Sequence, residues 1–169
     1  TICYFDKRLK TTHAHQLAAS LVFYSPLQTI FWYDKPSFYH GEPEMEWFEN
    51  LQTVFDDTKV LDGAPGKNIT MARRKGQEWF VAAMTNNEGS EEEIPLTFLD
   101  KEKNYLACIY TDGGEKIKTS TQVKCTYLLV NASQTMKFQL KPSGGAAIRL
   151  VPIDRQEMKK YKKYKGERL

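Results

Sequence analysis

The sequence predicts a mainly β protein: an antiparallel β-sandwich over residues 51–151, preceded by a helical segment over residues 1–50 and followed by a basic tail over residues 152–169. Three observations carry this. From Val54 onward, short runs rich in β-branched and aromatic residues recur between clusters of Gly, Asn and Asp, as strands and turns require. In two of these runs the apolar residues alternate, Ile94, Leu96, Phe98 and Met136, Phe138, Leu140, which suits a sheet with one buried and one wet face. Ahead of them, Ala14, Leu17, Ala18, Leu21 and Tyr24 fall at the three- and four-residue spacings of one helix face.

Thr11 or Thr12 is placed to cap that helix, which runs to about Tyr24 and is ended by Ser25-Pro26, since proline biases its predecessor toward extended geometry. Residues 27–33 then read as a short buried strand, Asp34-Lys35-Pro36 as a turn, and residues 37–51 as a second helix around Met45, Trp47, Phe48 and Leu51. Pro43 suits its first turn, as do Glu42 and Glu44 beside the exposed N–H groups. Strands follow at residues 60–61, 69–74, 77–85, 94–98, 105–110, 123–130, 135–140 and 146–151, with Lys75-Gly76-Gln77 as a tight hairpin. Trp79, Val81 and Ala83 face one way while Phe80, Ala82 and Met84 face the other, so this strand must be covered on both sides. Seven or eight such strands imply a two-layer sandwich. No linker separates it from the helical segment, so the two are expected to touch. The charged end after Ile153 reads as a frayed or helical surface extension.

With 169 residues and 41% hydrophobic content, the chain is long enough for one well-buried core, but short of the roughly 250 residues of a complete (β/α)8 barrel. No run approaches the ~18 apolar residues of a membrane span, and no basic-then-apolar leader precedes the first helix. Residues 154–169 hold seven Lys/Arg against three Asp/Glu, so the formal charge of +3 belongs to the tail. Three cysteines, Cys3, Cys108 and Cys125, exclude a fully paired framework and form no CxxC knuckle; Cys108 reads as a small buried hydrophobe, with a Cys108–Cys125 bridge as the alternative.

Catalytic signals are weak. His13 and His15 sit about 200° apart around a helix and suit polar contacts at its start better than a shared metal. Asp56, Asp57 and Asp62 lack the alternating oxygen ligands of a calcium loop and read as turn or rim carboxylates. Glu42, Glu44, Glu46 and Glu49 read as a solvated helix face, which supplies no cleft to hold two carboxylates about 5–9.5 Å apart. Ser120 and Ser133 have no nucleophile elbow, and residues 63–67 have neither the length nor the following helix of a phosphate loop. The tail lysines and Arg73-Arg74-Lys75 mix bases with aromatics, but a lysine-rich end reads as solubilising, so no nucleic-acid partner is expected. Trp32, Tyr33 and Trp47, the aromatics available for stacking on sugar, fall outside the sandwich. No catalytic, cofactor-binding or metal-binding residue is assigned.

Six blocks taken together point further. His15-Gln16-Leu17-Ala18, Ser25-Pro26-Leu27-Gln28, residues 55–63, Ala72-Arg73-Arg74-Lys75-Gly76, residues 79–86 and Gly144-Gly145-Ala146-Ala147-Ile148-Arg149-Leu150 resemble, in order, the C-terminal part of glycoside hydrolase family 97. The resemblance implies an α-glucosidase or α-galactosidase built from an N-terminal β-sandwich, a (β/α)8 barrel with calcium at the active site, and a C-terminal β-domain. It makes residues 11–50 the end of the barrel and residues 51–151 the complete C-terminal domain. The catalytic carboxylates and calcium ligands then lie upstream, so this piece by itself is expected to be inactive and to bind no cofactor. Its partners are the rest of the parent chain and, through the parent, a carbohydrate substrate, in a periplasmic or secreted bacterial enzyme. Apolar residues orphaned from the barrel invite self-association. The alternative is a free-standing carbohydrate-binding sandwich. Phe55-Asp56-Asp57-Thr58 departs from the family's Trp-Asp-Glu-Thr, and the tail lies beyond the resemblance.

Overall fold

The computed structural model describes residues 2–4, 9–31, 37 and 39–169, with only the backbone of Cys3 and Phe31. Trp32, Tyr33 and the expected turn at residues 34–36 lie outside the described residues. The protein is mainly β, a β-sandwich with helices before it, as the sequence predicts.

A short parallel pair opens the chain. Strands β1 (Ile2–Cys3) and β2 (Ile30–Phe31) run side by side, joined by helix α1 (His13–Val22). Thr12 caps α1, its Oγ1 accepting from the His15 N–H at 3.1 Å. The helix ends at Val22, before Ser25-Pro26 is reached. The second helix is much shorter than the expected residues 37–51. It comprises a 3-10 turn (Pro43–Met45) leading into α2 (Glu46–Asn50), because Gly41 takes a positive φ of 83° and the helix starts anew at Pro43.

Nine strands follow: β3 (Asp57–Ala64), β4 (Asn68–Lys75), β5 (Glu78–Thr85), β6 (Ser90–Pro95), β7 (Asn104–Asp112), β8 (Val123–Asn131), β9 (Thr135–Leu140), β10 (Gly145–Ile153) and β11 (Lys162–Lys163). Seven form one sheet in the order β11-β8-β7-β10-β5-β4-β3, and β6 pairs with β9 in a small second sheet. Gly76, at φ 58°, makes the expected β4–β5 hairpin. The strand expected at residues 94–98 is shifted toward the N-terminus. Pro95 closes β6, and Leu96 turns to bond the Gln134 carbonyl and to accept from Leu99, while Ile94 and Leu96 stay buried.

The large sheet is covered on both faces. On one, Trp79, Val81 and Ala83 join Ile109, Ile148 and Leu150 against Ile94, Met136, Phe138 and Leu140 of the small sheet. On the other, Phe80, Ala82, Tyr110 and Ala147 pack under Leu17, Ala18 and Leu21 of α1 and under Trp47. Even and odd residues of β5 thus enter different cores, as its two-sided hydrophobicity requires.

The end of the chain is neither frayed nor a simple helix. After a 3-10 turn (Glu157–Lys160), β11 pairs in parallel with Leu128 and Leu129 at the β8 edge. Tyr164 is buried, its hydroxyl accepting from the Lys137 N–H at 3.0 Å and donating to the Glu167 carbonyl at 2.8 Å. Arg168 forks onto Glu91 at 2.8 and 3.0 Å. An aromatic anchor and main-chain pairing outweigh the mutual repulsion of the tail's cations, and the segment straps the small sheet to the large one.

Candidate functional site

The face that carries α1 concentrates the polar and unpartnered features. Helix and sheet approach closely there because the facing strands are nearly bare. A Cβ on Gly145 would stand 2.9 Å from the His15 Cα and 2.9 Å from the Ala83 carbonyl, and Ala82 and Ala147 present only methyl groups to the same face. His15 fixes the start of the helix, its Nδ1 lying 3.0 Å from the Gly144 carbonyl and donating to it. His13 packs edge-on against Tyr4 at 5.1 Å. Burial lowers the pKa of both imidazoles, so both are held neutral. The helix-start role expected of these residues is the one they fill.

Arg73 closes the other end of the helix. Its Nε donates to the Leu21 carbonyl at 3.0 Å and its Nη1 to Thr58 Oγ1 at 2.9 Å, beneath the rings of Tyr24 and Phe55 at 5.1 and 5.6 Å. A cation at a helix C-terminus meets the negative end of its dipole. Burial lowers the guanidinium's pKa.

Of the acidic residues expected to form a solvated face, Glu49 is exposed and Glu46 half-buried, while the other two do the reverse. Glu42 and Glu44 are buried. Tyr4 Oη donates to Glu44 Oε1 at 2.9 Å, Glu42 Oε2 accepts from the His40 N–H at 2.9 Å, and Glu42 Oε1 lies 3.4 Å from Ser120 Oγ. Tyr127 Oη donates to Glu46 Oε2 at 2.8 Å. The segment's break at Gly41 turns these side chains inward onto β8 and the β7–β8 loop. Burial first, then Glu44, pushes the Tyr4 phenol up. Trp47 Nε1 donates to Ser20 Oγ at 2.9 Å, and its ring meets Phe80 and Tyr110 edge-on at 5.8 and 6.0 Å. Sequence reasoning missed this buried polar layer. The one available signal is the spacing of Glu42 and Glu44 around Pro43, which does not keep both on one helix face.

No catalytic arrangement emerges among the described residues. Cys108 and Cys125 are free, and burial pushes both thiols up to about 12, which removes the thiolate a nucleophile needs. They are diagonal across β7 and β8, since Tyr110 opposes Cys125 and Cys108 opposes Tyr127, and diagonal side chains lie about 7–8 Å apart, beyond disulfide reach. Asp56 accepts from the Gly76 N–H at 2.7 Å and Lys75 Nζ at 3.2 Å, Asp57 pairs with Lys59 at 3.3 Å, and Asp62 accepts from Asn68 at 3.1 Å. These carboxylates serve the β3–β4–β5 turns, and no group of three His, Cys, Asp or Glu suited to a metal occurs among the described residues.

Two clefts flank α1. A polar one of about 310 Å³ lies at its N-terminus between Thr12, His13, Asp112, Gln122 and Lys141. A larger, mostly apolar groove of about 580 Å³ runs beside it from His15 to Phe23, walled by Val60, Ile69 and Met84.

Sandwich and helical layer together define an accessory β-domain joined to helical elements. A family model described as the glycosyl-hydrolase 97 C-terminal domain, oligomerisation, matches residues 54–151, and the chain belongs to that family. It is 34% identical over 149 residues to a retaining alpha-galactosidase of Bacteroides thetaiotaomicron, covering 88% of this chain but 22% of that protein. A probable retaining alpha-galactosidase of Streptomyces bingchenggensis is 25% identical over 135 residues, covering 79% of this chain and 20% of its own length. Among solved structures, a glycoside hydrolase family 97 enzyme from Pseudoalteromonas sp. strain K8, in complex with acarbose, superposes with a TM-score of 0.75 at 33% identity, over 85% of this chain and 23% of that one. The chain thus spans about a fifth to a quarter of the relatives it matches.

Proposed function

We propose that the chain is the C-terminal part of an α-glycosidase acting on α-galactosides or α-glucosides, and that its sandwich braces the catalytic barrel without taking part in the chemistry. The observation that carries this reading is the parallel β1–α1–β2 unit with α2 after it, lying on the sheet as one continuous layer. A strand, a helix and a parallel strand are the repeat from which (β/α)8 barrels are built, and an antiparallel sandwich has no use for one. The Bacteroides and Streptomyces relatives are described as retaining, the latter as probable, which favours a parent with two carboxylates about 5–5.5 Å apart in one cleft. Asp56, Asp57 and Asp62 are committed to turns and Glu42 and Glu44 to the buried layer, and the carboxylates of the reaction come from upstream. The same holds for the calcium that the resemblance implies. Asp56, Asp57 and Asp62 do not converge and do not fit a calcium site. The parent is exported, to the bacterial periplasm or beyond.

The chain alone, given aryl α-galactoside and aryl α-glucoside with calcium, should release aryl alcohol no faster than the blank, while the full-length polypeptide turns over at least one of them. Turnover by the chain alone would refute the reading.

Self-association is a second property of the same layer. Tyr24 and Leu27, in the stretch that follows α1, are 51% and 82% exposed, apolar residues that association would cover. Light scattering should find the isolated chain associating as its concentration rises.

A further inference from the structure

Six strands of the large sheet, β8-β7-β10-β5-β4-β3, span the face that carries α1. Strands lie about 4.8 Å apart and packed helices 8–10 Å apart, so two strands make one helix-wide lane and this face has three. The lane over β10 and β5 holds α1. The lane over β7 and β8 holds the Pro43–Met45 turn and α2, through Trp47 against Tyr110 and Glu46 against Tyr127. The third lane, over β4 and β3, holds no helix among the described residues.

That lane is nonetheless built for one. The registers Val60↔Met71↔Ala82 and Ile69↔Met84 aim Val60, Met71 and Ile69 to the same side as Ala82 and Met84, which lie in the core beneath α1. The opposite side of the same strands is finished with polar pairs, such as Thr70 to Glu92 at 3.2 Å. Val60 and Phe23 remain largely exposed at the edges of the groove. Between His15 and Phe23 the groove follows α1 for about 12 Å, roughly two helical turns.

We infer that the third lane seats the helix that precedes β1 in the parent polypeptide, so that the sheet braces three successive barrel helices. The inference rests on the proposed membership of a longer chain. Its occupant follows from order: α2, which comes after α1, lies on one flank of α1, and side-by-side succession in a β/α repeat gives the other flank to the helix before it. The relatives, about four times the length of this chain, have ample residues to supply it. The groove calls for an amphipathic helix with an apolar stripe about two turns long, clear of Lys67 at one end of the groove.

Maleimide labelling of Val60→Cys, measured over the background of the unsubstituted protein, tests this in the full-length polypeptide and in the present chain. Leu27→Cys, outside the groove, is the control. Both cysteines should label at least tenfold more slowly in the full-length polypeptide, and Val60→Cys in the chain should label at a rate independent of dilution. Slowing at Leu27→Cys alone overturns the lane inference while the longer-protein reading stands. Slowing at neither overturns both. Labelling of Val60→Cys in the chain that speeds up on dilution makes a second copy the occupant and also overturns the inference. As a further check, Val60→Lys should lower the melting temperature of the full-length polypeptide and leave that of the chain within a degree or two.

Discussion

The two faces of the large sheet are finished in different ways. The sandwich face is sealed by the chain's own C-terminal half: β6 and β9 cover it, and the tail straps them down through Tyr164 and the Arg168–Glu91 fork. The helix face is sealed in two lanes by α1 and by the Pro43–Met45 turn with α2, and in the third lane no helix lies among the described residues. A face closed by two strands of the same sandwich and a strap is complete in itself, whereas a face closed by a strand-helix-strand unit borrows its cover from another architecture. Stability and function should divide along the same line, with the sandwich face holding the fold and the helix face holding the connection.

The largest expected effect comes from cutting the main anchor on each side. Phe138→Ala removes a fully buried ring from the sandwich core, and Trp47→Ala removes the indole wedged between Phe80 and Tyr110 together with its bond to Ser20. Each should cost about 3–5 kcal/mol. The consequences differ in kind. Phe138→Ala lowers the urea midpoint of one transition, because every strand depends on that core. Trp47→Ala frees the helical layer first, so helical circular dichroism is lost at lower urea than amide protection in β5 and β10. Coincident transitions in Trp47→Ala would show that the two faces do not separate.

A middle effect is expected at the strap. Tyr164→Ala deletes a buried ring and the hydroxyl that accepts from Lys137 and donates to Glu167, a loss of about 3 kcal/mol. Hydrogen exchange should speed up in β9 and β11 and remain unchanged in α1. Equal acceleration in α1 would mean that the strap serves both faces.

Legibility in the sequence follows the same division. The sandwich could be read almost strand by strand because its rules are local. Alternation marks Met136, Phe138 and Leu140, Gly76 marks a hairpin, and the double-faced β5 announces two cores. β6 slipped because Leu96 and Phe98 continue the alternation past Pro95, where the backbone leaves the ladder. The tail was illegible because composition reports seven cations and not the single buried Tyr164 that outweighs them. The acid layer was hidden for a related reason: on a continuous helix Glu42 and Glu44 would point about 200° apart, and only the break at Gly41 lets both turn inward, onto Ser120 and Tyr4. The open lane was not legible either, because it is a relation between Val60, Ile69 and Phe23 that exists only once β3, β4 and α1 are assembled.

The smallest effect sharpens the comparison through pH. His13 and His15 belong to the helix face, and burial lowers the pKa of each from the usual 6.5. The unfolded chain therefore binds more protons than the folded one as pH falls below that value, so stability is fully present above it and declines as pH drops toward the folded values. Asp112, near His15, has its pKa raised by burial, so in more acidic solution its protonation favours the fold and opposes the histidines. The window from pH 7.5 down to about 5.5, taken in an Asp112→Asn background that lacks the opposing carboxyl, reports the imidazoles. Across it the urea midpoint should fall modestly, and His15→Gln, which keeps a donor for the Gly144 carbonyl, should reduce the slope. Amide protection should weaken in α1 before it weakens in β9, because protonated imidazoles lose their place at the helix start and the strapped sandwich core contains no histidine. Loss of protection in β9 at the same pH as in α1 would mean that acid acts on the whole fold and that the helix face has no separate stability to lose.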